Sequence, residues 1–185
     1  PKSVAIIGGG YIGLELGCAL SKLGTQVTVV EGMETILAIM DKEIRRPLDI
    51  WLKKNNVTVH TESIARGAEI KGKGASRKVE ITFEKDGSEQ TLKVDKVLVT
   101  VGRKPNTKGW GLENIGARMD GSGRFIRTDR QCRTSVPGVY AIGDVSGEPM
   151  LAHKASAEGE MVAEIIAGHK REFDKVAIPA IVFTE

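Results

Sequence analysis

The sequence has few residues of the types that disulfide chemistry, metal binding and base stacking require. Its 185 residues include 2 Cys, 2 Trp, 2 Tyr and 4 Phe. The two cysteines, Cys18 and Cys132, form neither a CxxC nor a CxxxxC pair and have no metal-ligand spacing, so we expect no metal site and no redox disulfide within this chain. We expect Cys18 to be a small buried thiol on a helix and Cys132 to be a loop thiol rather than a nucleophile.

Strong net charge and long apolar runs are also missing. The net charge is +3, and with so few aromatic side chains it gives no reason to expect binding to nucleic acid. No run approaches the roughly 18 apolar residues that a membrane span needs, and the first residues carry no signal or transit pattern. We therefore expect a cytoplasmic protein, or a mitochondrial-matrix protein if the source is eukaryotic, that binds no membrane.

A glycine-rich turn follows the first apolar segment. Val4–Ile7 is a short apolar run of the kind buried in parallel sheets, and residues 8–13, GGGYIG, then satisfy the G-x-G-x-x-G pattern. Gly8 permits the tight turn, Gly10 lets the backbone approach a pyrophosphate, and Gly13 allows a helix to pack closely on the strand. The amides at the start of that helix favour negative charge. The pattern and its context predict a dinucleotide site.

An acidic residue ends the next strand. The helix predicted after the turn has an apolar row at Ile12, Leu16, Leu20 and Leu23. Gln26–Val30 then reads as a second buried strand that ends at Glu31. A carboxylate there would accept hydrogen bonds from the adenosine 2′-OH and repel a 2′-phosphate, and no Lys or Arg follows before Lys42. Glu31 therefore predicts NAD rather than NADP; the alternative is a solvated acid at a strand end.

Further strands and helices follow. A helix is predicted from Asp41, as its N-cap, to about Lys54, with Pro47 expected to kink or restart it. Basic residues at the tip of a later hairpin, Lys71, Lys73, Arg77 and Lys78, are interpreted as a solvated loop rather than a phosphate site. Strands are predicted at 57–60, 63–70, 78–85, 89–94, 96–102, 124–128, 138–145 and 178–185, and a last helix between Pro149 and Gly168. A turn at Asp86 and Gly87 is predicted to join the strands at 78–85 and 89–94.

A second acidic residue also ends a predicted strand. Asp144 terminates the run GVYAIGD, and ligands of open parallel sheets lie at the carboxyl ends of the strands. An acceptor at this position would suit the hydroxyls of a sugar or a ribityl chain. The helix that begins a few residues later would present its N-terminus to negative charge, such as the charge that develops on a reduced flavin.

Four ordered segments together resemble the pyridine nucleotide–disulfide oxidoreductases. These are VAIIGGGYIGLELG with VTVVE, VLVTVGRKPNT, TSVPGVYAIGDV and MLAHKASAEG. The resemblance implies an α/β fold with a Rossmann-like NAD-binding domain that carries an antiparallel β excursion, followed by the second segment of a split FAD-binding domain. The implied boundaries are 1–102 for the first domain, 103–175 for the FAD segment, and 176–185 for the start of an interface domain.

The resemblance also implies which residues bind the cofactors. NAD(H) would lie over Gly8, Gly9, Gly10, Tyr11, Ile12, Gly13, Leu14 and Glu15, with Glu31 on the adenosine ribose, Ile64 on the adenine side and Gly102 near the other end. FAD would contact Asp144, Met150, Leu151, Ala152 and His153. The alternative for Glu15 is an acid on a helix surface, and for His153 a structural histidine in the first helical turn. No residue of this chain is predicted to be catalytic.

The matching motifs are those of a member that oxidises protein-bound dihydrolipoamide with NAD through FAD and a redox disulfide. That member is a homodimer and meets the lipoyl domains of 2-oxo-acid dehydrogenase complexes. The family's first FAD-binding segment, its CxxxxC pair and its carboxy-terminal interface domain are not recognisable here, so the chain is expected to be a central piece that binds NAD(H) without turnover. The alternatives are a sister NAD-linked flavin reductase, of the soluble transhydrogenase or mercuric reductase type, and a stand-alone NAD-binding or NAD-sensing module.

Overall fold

A computed structural model describes residues 1–174 and 177–184, which fall into two compact units. The first unit comprises Pro1–Gly102 together with the segment that begins at Ile181, and the second comprises Arg103–Ala180. Residues 175, 176 and 185, which include a predicted domain boundary and the end of a predicted strand, lie outside the described residues.

The first unit alternates strands and helices and then turns to strands alone. In chain order its elements are β1 (Ser3–Ile7), α1 (Tyr11–Lys22), β2 (Gln26–Val30), α2 (Lys42–Lys54), β3 (Thr58–His60), β4 (Ser63–Lys71), β5 (Lys78–Lys85), β6 (Ser88–Val94) and β7 (Lys96–Val99).

Four of these strands form a parallel sheet in the order β3-β2-β1-β7. In its centre Ile6 pairs with Val29 on one side and with Leu98 on the other. Strands β4, β5 and β6 form a separate antiparallel sheet. The predicted α/β class, with a Rossmann-like sheet and an antiparallel excursion, is confirmed.

Strand β1 lies between two layers of the first unit. Val4 and Ile6 face the helices and share a buried cluster with Leu14 and Cys18 of α1. The alternate residue Ala5 packs with Ile81 and Val94 of the antiparallel sheet. Because successive side chains of a strand point to opposite faces, both faces of β1 are covered, and residues 4–7 of the strand are all apolar.

The face of α1 that packs on the sheet differs from the predicted apolar row. Leu16 is 45% exposed and Leu23 is 82% exposed, while Gly13, Leu14, Gly17 and Cys18 are buried. Small residues let the helix axis approach the strand closely: a Cβ on Gly17 would lie 2.8 Å from Ile6 Cδ1. The helix itself was predicted correctly, and the choice of its buried side was wrong.

Helix α2 begins at the predicted cap. The Asp41 carboxylate accepts a hydrogen bond of 2.9 Å from the Glu43 amide. Pro47 lies within a single helix, so the predicted restart is wrong. Leu48 and Leu52, which follow the proline, are buried in the core and hold the second half of the helix in place.

The antiparallel sheet follows the predicted hairpins. Asp86 and Gly87, which join β5 to β6, both have positive φ, as tight hairpin turns require. The basic residues near the β4–β5 turn are exposed. Lys71 bonds to Glu69, and Lys78 bonds to Asp95. These contacts agree with a solvated loop.

The second unit contains two helices, α3 (Leu112–Ile115) and α4 (Ala152–Ile166), and a 3₁₀ turn at Gly143–Val145. The strands predicted at 124–128 and 138–145 are absent from this unit. The structure has only isolated antiparallel bridges there, Met119 with Ile126 and Arg133 with Tyr140. A strand exists only beside a partner, and no described strand extends either bridge into a ladder.

The segment 177–184 also contains no strand, contrary to prediction. Residues 183 and 184 bond to side chains of α1 instead, and the Pro179 carbonyl lies 2.9 Å from His153 Nε2 of α4. The Lys22 ammonium donates to the Thr184 carbonyl at 2.7 Å, and Val182 packs against the core of the first unit. These contacts satisfy the segment without a neighbouring strand.

Candidate functional site

The turn between β1 and α1 has three closed glycine positions, Gly8, Gly9 and Gly13, and one open position, Gly10. Gly8 has φ +104°, and a Cβ on it would lie 2.8 Å from the Thr100 carbonyl oxygen. A Cβ on Gly13 would lie 2.5 Å from both the Gly8 carbonyl oxygen and Thr100 Oγ1. A Cβ on Gly10 would meet nothing within 4 Å. The loop is therefore packed against protein on one side and open at Gly10, where α1 begins.

Thr100, which the sequence reasoning missed, fastens this loop to the end of β7. Its amide donates to the Ile7 carbonyl at 2.8 Å, and its hydroxyl lies 2.9 Å from the Gly8 carbonyl and 3.1 Å from that of Ile7. Both contacts join residues more than 90 positions apart in sequence. A polar residue at the end of an otherwise apolar strand was the available signal.

The Glu31 carboxylate lies beside the same loop. One oxygen accepts from the Gly9 amide at 2.5 Å and the other from the Met33 amide at 2.7 Å. Each carboxylate oxygen has two lone pairs, so both retain capacity for a ligand hydroxyl. Glu31 forms no ion pair within the part of the chain that the structure describes. Its negative charge at this edge is left without a counter-charge.

Two other predicted cofactor residues lie next to these groups in the first unit. The Ser63 amide donates to the Glu31 carbonyl at 2.8 Å, which places Ile64, 49% exposed, one residue from that bond. Gly102 has φ +119° and open space where a Cβ would stand, and it follows closely on Thr100. Ile64 and Gly102 are the residues expected at the two ends of the cofactor. Ile64 directly follows Ser63, which bonds to Glu31, and Gly102 lies two positions after Thr100, which bonds to Gly8.

The predicted cofactor residues within α1 differ in their burial and in their hydrogen bonds. Tyr11 and Ile12 are half-buried in the first turn. The Leu14 amide donates to the Gly10 carbonyl at 3.0 Å. The Leu14 side chain is fully buried and anchors the helix in the core. The Glu15 carboxylate accepts from the Phe183 amide at 2.9 Å. The start of α1 has no side-chain cap at Gly10 and is suited to an anion.

An arginine of α2, which sequence reasoning also missed, holds the loop that follows Glu31. Arg45 Nη1 donates to Thr35 Oγ1 and, at 3.3 Å, to the Ile36 carbonyl. Ile36 in turn lies against Gly9, because a Cβ on Gly9 would be 2.9 Å from its Cγ2 atom. The guanidinium of Arg45 therefore supports the loop rather than neutralising Glu31.

The second predicted site lies in the second unit, around Asp144. This residue belongs to the 3₁₀ turn and not to the end of a strand, which corrects the sequence interpretation. Its carboxylate is 43% exposed and lies 3.6 Å from Arg103 Nη1. Arg103 also donates through Nη2 to the Met150 carbonyl. One guanidinium thus joins the Asp144 turn to the residues that precede α4.

The residues predicted around the start of α4 lie together at its N-terminus. Leu151 is the N-cap, without a side-chain hydrogen bond, and Ala152 begins the helix. Met150 is buried. The His153 ring nitrogen Nε2 lies 2.9 Å from the Pro179 carbonyl, so its imidazole is engaged with the chain itself. The first turn offers backbone amides rather than the histidine ring.

A buried ion pair beneath this turn was not predicted. Lys154 Nζ lies 3.2 Å from Glu158 Oε1, and the two side chains are only 5% and 7% exposed. Lys154 also donates to the carbonyls of Gly143 and Gly147, both at 3.1 Å. Glu158 accepts from the Gly143 amide at 2.6 Å. The pair therefore fixes the backbone on both sides of Asp144 to α4.

Both cysteines are buried and poorly suited to nucleophilic chemistry. Burial is the main cause that raises the pKa of the Cys18 thiol. At Cys132 burial, reinforced by the Glu158 carboxylate, raises the pKa to about 11. Because the thiolate is the reactive form, these thiols are inert at neutral pH. Cys18 is the buried helical thiol that was predicted, and Cys132 is a buried thiol in a loop.

Among residues 1–174 and 177–184, no group of three or more His, Cys, Asp or Glu side chains could hold a metal ion. Among the helices of the same residues, none is both long and apolar enough to cross a membrane.

Known proteins resemble this chain along its whole length. It is 50% identical to dihydrolipoyl dehydrogenase of Geobacillus stearothermophilus and 48% identical to that of Bacillus subtilis. All of this chain is covered in both cases, but only 38% of each relative, so the chain spans well under half their length.

Solved structures also resemble this chain along nearly its whole length. LpdA from Mycobacterium tuberculosis has a TM-score of 0.83 and 31% identity over 100% of this chain and 39% of its own. A variant of RclA, a HOCl-induced flavoprotein disulfide reductase from Escherichia coli, has a TM-score of 0.85 and 25% identity over 99% of this chain and 40% of its own. The family model described as pyridine nucleotide-disulphide oxidoreductase matches residues 1–159. The chain is therefore a member of the pyridine nucleotide-disulphide oxidoreductase family.

Proposed function

We propose that the first unit binds NAD(H), with the pyrophosphate at the start of α1 and the adenosine ribose on Glu31. The observation that carries the proposal is the contrast within the glycine loop. Gly8 and Gly13 are closed by protein atoms, whereas Gly10 borders open space at an uncapped helix N-terminus. A phosphate group would fill that space and accept hydrogen bonds from the first-turn amides.

The same site favours NAD over NADP. The Glu31 carboxylate accepts from two backbone amides and has no ion pair in the described part of the first unit. A ribose 2′-OH would donate to it, whereas a 2′-phosphate would bring a second negative charge within a few ångströms. Arg45, the basic residue that holds the following loop, already donates to Thr35 and Ile36.

Fluorescence titration of the chain with NADH and NADPH at fixed ionic strength tests this proposal. We expect NADH to bind at least about tenfold more tightly, a difference of about 1.4 kcal/mol, since two like charges about 4 Å apart near a protein surface repel by up to about 4 kcal/mol. Glu31→Gln should narrow the preference, whereas Glu34→Gln, which removes an exposed acid three positions further on, should leave it unchanged. Equal affinities of the unaltered chain for the two cofactors would contradict the assignment of Glu31.

We further propose that the whole protein is a dihydrolipoyl dehydrogenase. Identities of 47–50% over the whole chain to relatives of that name support this activity. In that protein Asp144 and the first turn of α4, from Met150 to His153, would hold FAD. The exposed Asp144 carboxylate suits ribityl hydroxyls, and the uncapped helix start suits negative charge. The flavin, when bound, passes electrons between a redox disulfide and the nicotinamide.

The partners and location of the whole protein follow from the same proposal. It would oxidise dihydrolipoamide carried on lipoyl domains of 2-oxo-acid dehydrogenase complexes, as a homodimer in the cytoplasm. The chain described here has no CxxxxC pair, so we expect it to bind NAD(H), to retain little FAD and to show no turnover. Purified chain that carries stoichiometric flavin would refute that expectation.

Steady-state assays of the full-length protein separate this activity from its sister reactions. We expect NAD reduction to depend on dihydrolipoamide and NADP to be a poor substitute. Transfer from NADPH to NAD without any need for dihydrolipoamide would instead identify a soluble transhydrogenase. If full-length protein bound NADH but contained no flavin, it would be an NAD-binding module.

A further inference from the structure

The second unit contains a cleft lined by three arginines, none of which is among the residues assigned to cofactors. Its volume is about 380 Å³. The residues that line it are Arg118, Arg127, Arg133, Thr128, Asp129, Thr134 and Ser135. None of them belongs to the Asp144 turn or to α4.

Local backbone pairing brings the three arginines together. The bridge between Met119 and Ile126 is antiparallel, and the Arg127 amide donates to the Arg118 carbonyl at 2.9 Å, so these two arginines stand opposite each other. Arg133 enters from the next turn, where its amide donates to Asp129 Oδ1 at 2.9 Å. Hydrogen bonds of the main chain, together with the Asp129 carboxylate, therefore hold the backbones of the three arginines in one region.

The charge in the cleft is unbalanced. Three arginines and a single acidic residue, Asp129, line the cleft, and the Asp129 carboxylate already accepts from the amides of Gln131 and Arg133. Within the described residues, no ion pair or hydrogen bond engages the guanidinium of Arg118, Arg127 or Arg133. Other arginines of this unit do pair with carboxylates: Arg103 with Asp144, Arg130 with Glu172, and Arg171 with Glu164.

Like charges placed directly opposite each other on paired strands are destabilising. An anion in the cleft would relieve the repulsion between Arg118 and Arg127. Planar guanidinium groups match the oxygens of phosphate in a bidentate manner, and hydroxyls such as that of Ser135 add donors at the same wall. The volume is at the lower end of the range for small-molecule clefts. We propose that this cleft binds a compact diphosphate, either free pyrophosphate or the diphosphate end of a nucleotide.

Isothermal titration of the NADH-saturated chain with pyrophosphate, ADP and AMP tests the proposal, because bound NADH occupies the glycine loop of the first unit. We expect one pyrophosphate per chain and an affinity that falls about tenfold in Arg127→Gln and also in Arg118→Gln, because each substitution removes a charge-assisted fork. Arg124→Gln is the matched control. It removes the same charge from an exposed arginine of this unit, which lies over the Phe125 ring outside the cleft, and should change the affinity less than twofold.

The further arms identify the source of the diphosphate and separate this site from the NAD site. Similar affinities for pyrophosphate and ADP, with weak AMP binding, would assign the cleft to the diphosphate group alone, whereas much tighter ADP binding would assign it to a nucleotide. Arg127→Gln should retain the NADH affinity of the unaltered chain. The proposal is overturned if pyrophosphate fails to bind at millimolar concentration, if Arg124→Gln weakens it as much as Arg127→Gln, or if a single-stranded oligonucleotide binds more tightly than pyrophosphate.

Discussion

Replacing Lys154 by Met removes one half of the buried ion pair that joins α4 to the turn around Asp144. The substitution keeps the length of the side chain and deletes the ammonium, which lies 3.2 Å from Glu158 and 3.1 Å from the carbonyls of Gly143 and Gly147. Glu158 would then be a carboxylate only 7% exposed, with the Gly143 amide as its main remaining donor.

The expected cost follows from that burial. Removing one partner of a buried ion pair destabilises a protein by about 3–5 kcal/mol, because the other charge is left buried without compensation. The double substitution Lys154→Met/Glu158→Gln removes both charges and keeps an acceptor for the Gly143 amide. Its cost should be about 1–3 kcal/mol, the penalty for carbonyls left without a donor. We therefore expect the double variant to be more stable than Lys154→Met alone.

Tryptophan fluorescence during urea unfolding measures this effect in the second unit. The chain has two tryptophans, Trp51 in the first unit and Trp110 in the second, and the Trp110 indole donates to the Asn106 carbonyl at 3.0 Å. In a Trp51→Phe background the signal comes from Trp110 alone. Glu160→Gln, an exposed acid on the same helix, is the control and should cost less than about 0.5 kcal/mol.

Two results would refute the reasoning. If Lys154→Met lowers the free energy of unfolding no more than Glu160→Gln does, the buried ion pair does not contribute to the stability of this unit. If the double variant is as unstable as the sum of the two single variants, the two charges do not compensate each other.

The remaining predictions concern the glycine loop, the buried thiols and a helix cap. Gly13→Ala should lower the melting temperature, because its Cβ would lie 2.5 Å from protein atoms, whereas Gly10→Ala should fold normally and weaken NADH binding in a fluorescence titration. The free energy of unfolding should fall as the pH rises from about 9 to about 11, since the folded Cys132 thiol keeps its proton while the unfolded thiol loses it; in Cys132→Ala this fall should be smaller. Native Cys18 and Cys132 should react with a thiol reagent only slowly at neutral pH and rapidly after unfolding. Asp41→Ala should cost about 1 kcal/mol in urea unfolding, and a change below about 0.3 kcal/mol would argue against the cap.

Local patterns were sufficient to predict most of the first unit. The apolar run before Gly8, the acid at Glu31, and the turn at Asp86 and Gly87 each depend on residues close in sequence, and the corresponding strands and hairpins are present. The buried face of α1 was not predictable from apolar periodicity, because Gly13 and Gly17 pack through their lack of a side chain.

The second unit shows what such patterns omit. A buried strand was predicted at 138–145 from its apolar residues, but a strand needs a neighbour, and the sequence of the strand does not specify one. Lys154 and Glu158 have the spacing of an ordinary solvated pair on a helix. Their burial depends on a turn at Gly143, eleven residues before the lysine, so only the folded unit distinguishes this pair from a surface one.

The contact with Thr100 makes the structure of the glycine loop depend on a residue that is synthesised much later than the loop itself. The loop leaves the ribosome well before β7, because the hydroxyl that holds Gly8 lies 92 positions later in the chain. Until β7 has been made and has paired with β1, the carbonyls of Ile7 and Gly8 lack this partner, and Gly13 lacks the Thr100 side chain as one of its packing contacts. A nascent or proteolysed chain that ends before β7 should therefore contain the complete glycine motif and still fail to capture a dinucleotide.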